Sequence, residues 1–115
     1  MKANEIVHAL AALAQESRLA AYRLLVKRGP EGFNPGELSE RLGVPAPTLS
    51  FHLKALQSAG LIVARREGRF LHYSAQFEHM QQLVEFLTEN CCSESATACD
   101  ANCNPVQTTV RRKRA

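Results

Sequence analysis

No stretch of this 115-residue sequence stays apolar for anything near the roughly 20 residues that a membrane-spanning helix needs; the apolar runs are short, as in AALA and LIVA. The N-terminus also lacks the charged-then-apolar pattern of a secretory leader, so the sequence predicts a cytoplasmic protein without a membrane partner. Cysteine is missing from every segment patterned to build a core, since Cys91, Cys92, Cys99 and Cys103 all fall in the last quarter of the chain. No internal repeat is visible. A strong overall charge is lacking too: the net charge is +3, but Arg111, Arg112, Lys113 and Arg114 supply four of the 14 positive charges, and the remaining ten face 11 acids. A role with nucleic acid must therefore rest on where charge sits, because phosphate contacts need a local basic face. With 45% hydrophobic and 22% charged residues the composition is that of an ordinary globular protein, and the length suits one compact domain rather than two.

What is present is helical spacing followed by a hairpin. Ile6, Val7, Leu10 and Leu13 recur at helical intervals between about Asn4 and Ala14, and Leu19, Tyr22, Leu24, Leu25 and Val26 do so between Ser17 and Lys27. Gly29-Pro30 stops the second helix. Asn34-Pro35-Gly36-Glu37 then supplies a cap residue, a proline at the first helical position and an acid three residues after the cap, which opens a short third helix ending at Gly43. Leu49, Leu53 and Leu56 place a fourth helix between about Pro47 and Ala59, with Pro47 tolerated in a first turn whose N–H groups have no intrahelical use. After Gly60 the pattern becomes extended: LIVARR and FLHYSA, separated by Glu67-Gly68-Arg69, predict a β-hairpin. Phe77, Met80, Val84 and Leu87, with Leu83 alongside, predict a long fifth helix to about Asn90. Beyond Cys92 the chain is small and polar, and little regular structure is expected there without a ligand.

A helix pair followed at once by a hairpin is the layout of a winged helix-turn-helix, in which one helix enters the major groove. With Leu49, Leu53 and Leu56 inward, Thr48, Phe51 and Lys54 turn outward and Ser50 lies at the margin. A hydroxyl can address base edges, Phe51 a thymine methyl and Lys54 a phosphate, unless Phe51 is half-buried against the neighbouring helix. His52 reads either as a residue bonded within the helix pair or as a base contact. Together with Pro47, and with Arg65, Arg66 and Arg69 around the hairpin turn, these residues form the expected DNA-binding set.

The stretch TLSFHLKALQSAGLI followed by REGRFLHYS resembles the ArsR (ArsR/SmtB) family of bacterial metal-responsive repressors, which carries S-x-H-L-K-x-L, A-G-L and G-R-x-x-x-Y at these spacings. The resemblance extends over roughly residues 4 to 90. It implies a homodimeric repressor of double-stranded operator DNA whose affinity falls when a metal binds. The domain plan that follows is 1–90 for DNA binding and dimerisation through the first and last helices, and 91–115 for a cysteine-containing tail. The surplus of apolar side chains on the first and fifth helices agrees with a dimer.

The cysteines concentrate soft thiolate ligands. Zinc prefers a tetrahedron commonly presented by C-x-x-C pairs, whereas trivalent arsenic or antimony needs only three sulfurs in an open pyramid, which an adjacent pair plus one loop cysteine can satisfy. In the family, many members hold their ligands in a cysteine pair on the helix after the second, but GELSERLGV has neither cysteine nor histidine. The zinc-responsive branch uses Asp and His along the last helix, and here that helix has no histidine near its end. What remains resembles arsenic-responsive members with NCC closing the last helix and another cysteine several residues on. Cys91, Cys92 and Cys99 are thus the expected ligands of As(III) or Sb(III), Cys99 being preferred to Cys103 because the shorter loop costs less closure entropy. A response to another soft metal (Zn, Cd, Pb) or to thiol oxidation is the alternative. No enzyme is expected, because no histidine lies near these cysteines in sequence to act as a base.

Overall fold

The computed structural model describes residues 1–95. Five helices and one hairpin follow in the order α1 (Ala3–Leu13), α2 (Glu16–Arg28), α3 (Pro35–Leu42), α4 (Ala46–Ser58), β1 (Ile62–Glu67), β2 (Phe70–Ala75) and α5 (Phe77–Thr88). This is the mainly helical winged helix-turn-helix that the spacing predicted. Among the described residues no helix is long and apolar enough to cross a membrane. The chain divides after Leu83 into two compact units, and the core belongs to the first.

That core is built from one face of each helix. Leu49, Leu53 and Leu56 of α4 are 0–2% exposed, and Leu25, Leu38 and Leu61 are fully buried. Burying one such side chain contributes roughly 1.5–3 kcal/mol, so α4 is anchored by its leucine stripe and its other faces are left for other work. On α1 the buried residues are Ile6, Ala9 and Ala12, while Val7 is 64% and Leu10 41% exposed. Of the apolar stripe, Ile6 therefore enters the protomer core beside the small Ala9 and Ala12, while Val7 and Leu10 lie outside it. On α5 Leu83 is the buried residue and Phe77, Val84 and Leu87 are exposed.

Boundaries differ from the sequence reading at α4, at α5 and at the hairpin, where Glu67, read as part of the turn, is the last residue of β1. α4 begins at Ala46, one residue before Pro47, with Pro45 at the N-cap. The ring of Pro47 disfavours helical geometry at Ala46 but does not forbid it, and its missing N–H falls in the first turn where none is needed. α5 ends at Thr88 rather than near Asn90; both Asn90 and Cys92 take a positive φ of 62°, which no regular helix accommodates.

The sheet is a single antiparallel hairpin in which Glu67 pairs with Phe70 and Ile62 with Ala75. The loop is thus Gly68-Arg69, and Gly68 supplies the positive φ (63°) that a two-residue hairpin loop requires. Ile62 and Ala75 are buried at the base of the hairpin, whereas Val63 to Glu67 of β1 are all exposed, so the far half of the hairpin projects from the core. An isolated bridge between Phe33 and Tyr73, with N···O distances of 2.9 and 2.8 Å, ties the α2–α3 loop to β2.

Candidate functional site

α3 and α4 form the helix pair. Asn34 caps α3: its side-chain oxygen accepts from the Glu37 N–H at 2.8 Å, and Glu37 accepts from the Asn34 N–H at 3.0 Å. After the turn at Gly43, α4 starts with no side chain capping its first turn. Its leading N–H groups and their partial positive charge are left to solvent or to an anion.

The outward row of α4 is as expected from its leucine stripe. Pro47, Thr48, Ser50 and Lys54 are exposed, and Phe51, at 67% exposure, is not held against the neighbouring helix. His52 is on the other side of the helix: it is 8% exposed, its ring meets that of Phe51 edge-on at 6.0 Å, and its Nδ1 has no hydrogen-bond partner among the described residues. The three hairpin arginines separate into two kinds. Arg65 pairs with Glu67 (Nε···Oε2 3.2 Å) and donates to the carbonyl oxygens of Pro30 and Glu31 at 3.2 and 3.3 Å. It thereby holds the hairpin against the α2–α3 loop. Arg66 and Arg69 are exposed on the projecting half, next to Phe70, which is 61% exposed. His72 lies 3.6 Å from Glu67, so the one acid at the tip already has basic neighbours and the free charge there is positive.

Sequence reasoning missed Phe33, Arg28 and Arg41. The Phe33 ring is 3% exposed and carries both guanidinium groups, at 4.7 and 4.8 Å from its centroid. The available signal was two basic residues in the last turns of α2 and α3 around one loop aromatic, but periodicity does not say that they meet.

Cys91 and Cys92 lie just past α5 with their sulfurs 3.6 Å apart. Cys99 and Cys103 lie outside the described residues, as does the basic run Arg111 to Arg114. Among the described residues no three His, Cys, Asp or Glu side chains are grouped to hold a metal ion. A cavity of about 260 Å³ has Asn4, Glu5, His8, Ser58, Gly60 and His79 in its lining, two imidazoles and a carboxylate among them. There Glu5 is already engaged, accepting from the Lys2 N–H at 2.7 Å, which holds its carboxyl below the usual range.

Residues 13–65 match the helix-turn-helix domain family. The transcriptional regulator KmtR of Mycobacterium tuberculosis is 46% identical over 48 residues, a match that covers 42% of this chain and 37% of that protein. The biofilm growth-associated repressor of Xylella fastidiosa is 33% identical over 98 residues, covering 84% of this chain and 82% of that one. Among solved structures, an ArsR-like transcriptional regulator from Rhodococcus sp. RHA1 superposes with a TM-score of 0.69 at 28% identity, over 79% of this chain and 82% of its own. The homodimeric winged helix-turn-helix domain Mb0332 of Mycobacterium bovis shares the fold, with a TM-score of 0.62 at 24% identity over 84% of this chain and 89% of its own.

Proposed function

Since this chain belongs to the ArsR family of winged helix-turn-helix transcriptional regulators, we propose that it is a dimeric repressor released from operator DNA by trivalent arsenic or antimony. The observation that carries the DNA part is the outward row of α4. Thr48, Ser50, Phe51 and Lys54 stand exposed beside an uncapped helix start, a surface no core requirement explains. α4 then lies in the major groove: the hydroxyls of Thr48 and Ser50 address base edges, Phe51 packs on a thymine methyl and Lys54 meets a phosphate. Arg66 and Arg69 on the projecting hairpin add contacts to the minor groove or its flanking phosphates. Arg65 contributes by holding the hairpin to the α2–α3 loop, and His52, buried behind Phe51, by orienting that ring.

The release signal rests on the cysteines. Two sulfurs 3.6 Å apart suit a small thiophilic centre that takes ligands on one side only, and Cys99 supplies the third sulfur. A metalloid there offers an acceptor for three thiolates; Cys91 and Cys92 hold it at the end of α5. Regulation follows if the liganded protein favours a conformation with lower DNA affinity, a coupling that is typically ~1–3 kcal/mol, or roughly 5–150-fold.

Fluorescence anisotropy on a labelled fragment of the protein's own promoter tests both parts. The expected result is tighter binding to the promoter than to scrambled duplex at one salt concentration, and dissociation on adding arsenite. Cys91→Ser, Cys92→Ser and Cys99→Ser each bind DNA and no longer respond, while Cys103→Ser responds normally. Equal affinity for both duplexes removes the repressor reading. Release of a variant lacking all four cysteines removes the thiolate mechanism, and release by zinc or by an oxidant but not by arsenite replaces the metalloid.

A further inference from the structure

Three cations that the proposed reading does not use converge around Phe33. Lys27, Arg28 and Arg41, with Leu24 and the Phe33 ring, line a cleft of about 230 Å³. The guanidinium carbons of Arg28 and Arg41 lie 4.7 and 4.8 Å from the ring centroid. Such contact holds a guanidinium in place without neutralising it. Arg28 is fixed further, because its Nε donates to the Gly32 carbonyl oxygen at 3.0 Å and its two terminal nitrogens are left for another acceptor. Among the described residues no carboxylate pairs with any of the three: the arginine–carboxylate pair there joins Glu67 to Arg65, and Glu37 is engaged in the α3 cap. Like charges gathered without a counter-charge repel one another until an anion with several acceptor oxygens arrives.

We propose that this cleft binds a phosphate group, and that the phosphate belongs to the backbone of duplex DNA, contacted outside α4 and the hairpin. The assignment to DNA rests on the repressor reading. Two features support it. Arg41 stands five residues before Ala46, the first residue of α4, so their Cα atoms are no more than about 18 Å apart whatever the turn does. The loop that carries Phe33 is tied to the hairpin by Arg65 through the Pro30 and Glu31 carbonyls. The cleft is therefore joined by short links to both elements that would grip the duplex, whose charges repeat every ~1.7 Å along its axis.

The test uses the full chain and a salt series of anisotropy titrations on promoter and scrambled duplexes, with the wild type, Lys27→Ala, Arg41→Gln and Arg41→Lys. Lys27→Ala and Arg41→Gln are each expected to lower the slope of log affinity against log salt by about 0.9. Each should weaken both duplexes by the same factor, roughly tenfold, and Arg41→Lys should retain the slope. If Arg41→Gln melts below the assay temperature, Lys27→Ala, which leaves both guanidinium–ring contacts in place, carries the measurement. A second arm follows the melting temperature of the DNA-free protein with inorganic phosphate against chloride at matched ionic strength. Unchanged slopes with a phosphate-dependent stabilisation that Lys27→Ala abolishes overturn the DNA source and assign the cleft to free phosphate. Unchanged slopes with no phosphate response, or a loss confined to the promoter, overturn the site. A wild type that does not prefer its promoter defeats the repressor reading alone, because the slope on scrambled duplex still reports on the cleft.

Discussion

Tyr22 is 5% exposed, and its hydroxyl has no hydrogen-bond partner among the described residues. An unsatisfied buried polar group costs about 1–3 kcal/mol, so Tyr22→Phe is expected to melt at or above the wild-type temperature; a loss of more than about 1 kcal/mol would show that the hydroxyl is bonded. The same burial raises the Tyr22 phenol above its ordinary value of 10.0. A group whose folded pKa is raised contributes stability that is present below the unfolded pKa and is lost as pH rises through the folded one. Wild-type stability should therefore fall on going alkaline past about 10 in excess of Tyr22→Phe, as chemical denaturation at a series of pH values would record. At this scale the sequence was legible on α4, where Leu49, Leu53 and Leu56 divided inner from outer residues correctly. It was not legible for Arg65, which reads as one more tip arginine and is instead bonded to carbonyls 34 and 35 residues away along the chain.

α3 is only eight residues long and has Leu38 as its buried residue, so its ends matter more than they would in a longer helix. Asn34→Ala removes the acceptor for the Glu37 N–H and should cost ~1 kcal/mol in urea denaturation. Glu37→Gln keeps an acceptor for the Asn34 N–H and should cost less than half as much. Equal losses would mean that charge at the helix start, rather than the reciprocal pair of bonds, provides the stability. This cap was readable from Asn34-Pro35-Gly36-Glu37 because both partners lie within one turn of sequence. The starting point of α4 was not, since Pro47 biases the residue before it without deciding the matter.

Val7 and Leu10 on α1 are exposed in the protomer, and so are Phe77 and Leu87 on α5. Apolar side chains of this size in water are the means by which a second copy would be held, and a dimer would present two copies of α4 to half-sites about one helical turn apart. Val7→Asp should therefore shift sedimentation equilibrium toward the monomer while leaving the protomer's fold intact by circular dichroism, because Val7 takes no part in the core. Promoter affinity should fall with it. A variant that stays dimeric would place the interface elsewhere.

The amino-acid sequence by itself determined the order of the elements, the helix pair with its hairpin, the outward row of α4 and the confinement of cysteine to the last quarter. Each of these follows from periodicity, caps or composition, which are local. The tertiary structure alone decided that α1 packs on Ile6, Ala9 and Ala12 and leaves Val7 and Leu10 outside, that Arg65 binds the α2–α3 loop, and that Arg28 and Arg41 meet on Phe33. Those outcomes depend on how closely distant segments approach. An apolar stripe names the candidates for burial, but the distance between packed helices selects among them, and a side-chain contact across the fold has no period in the chain to announce it.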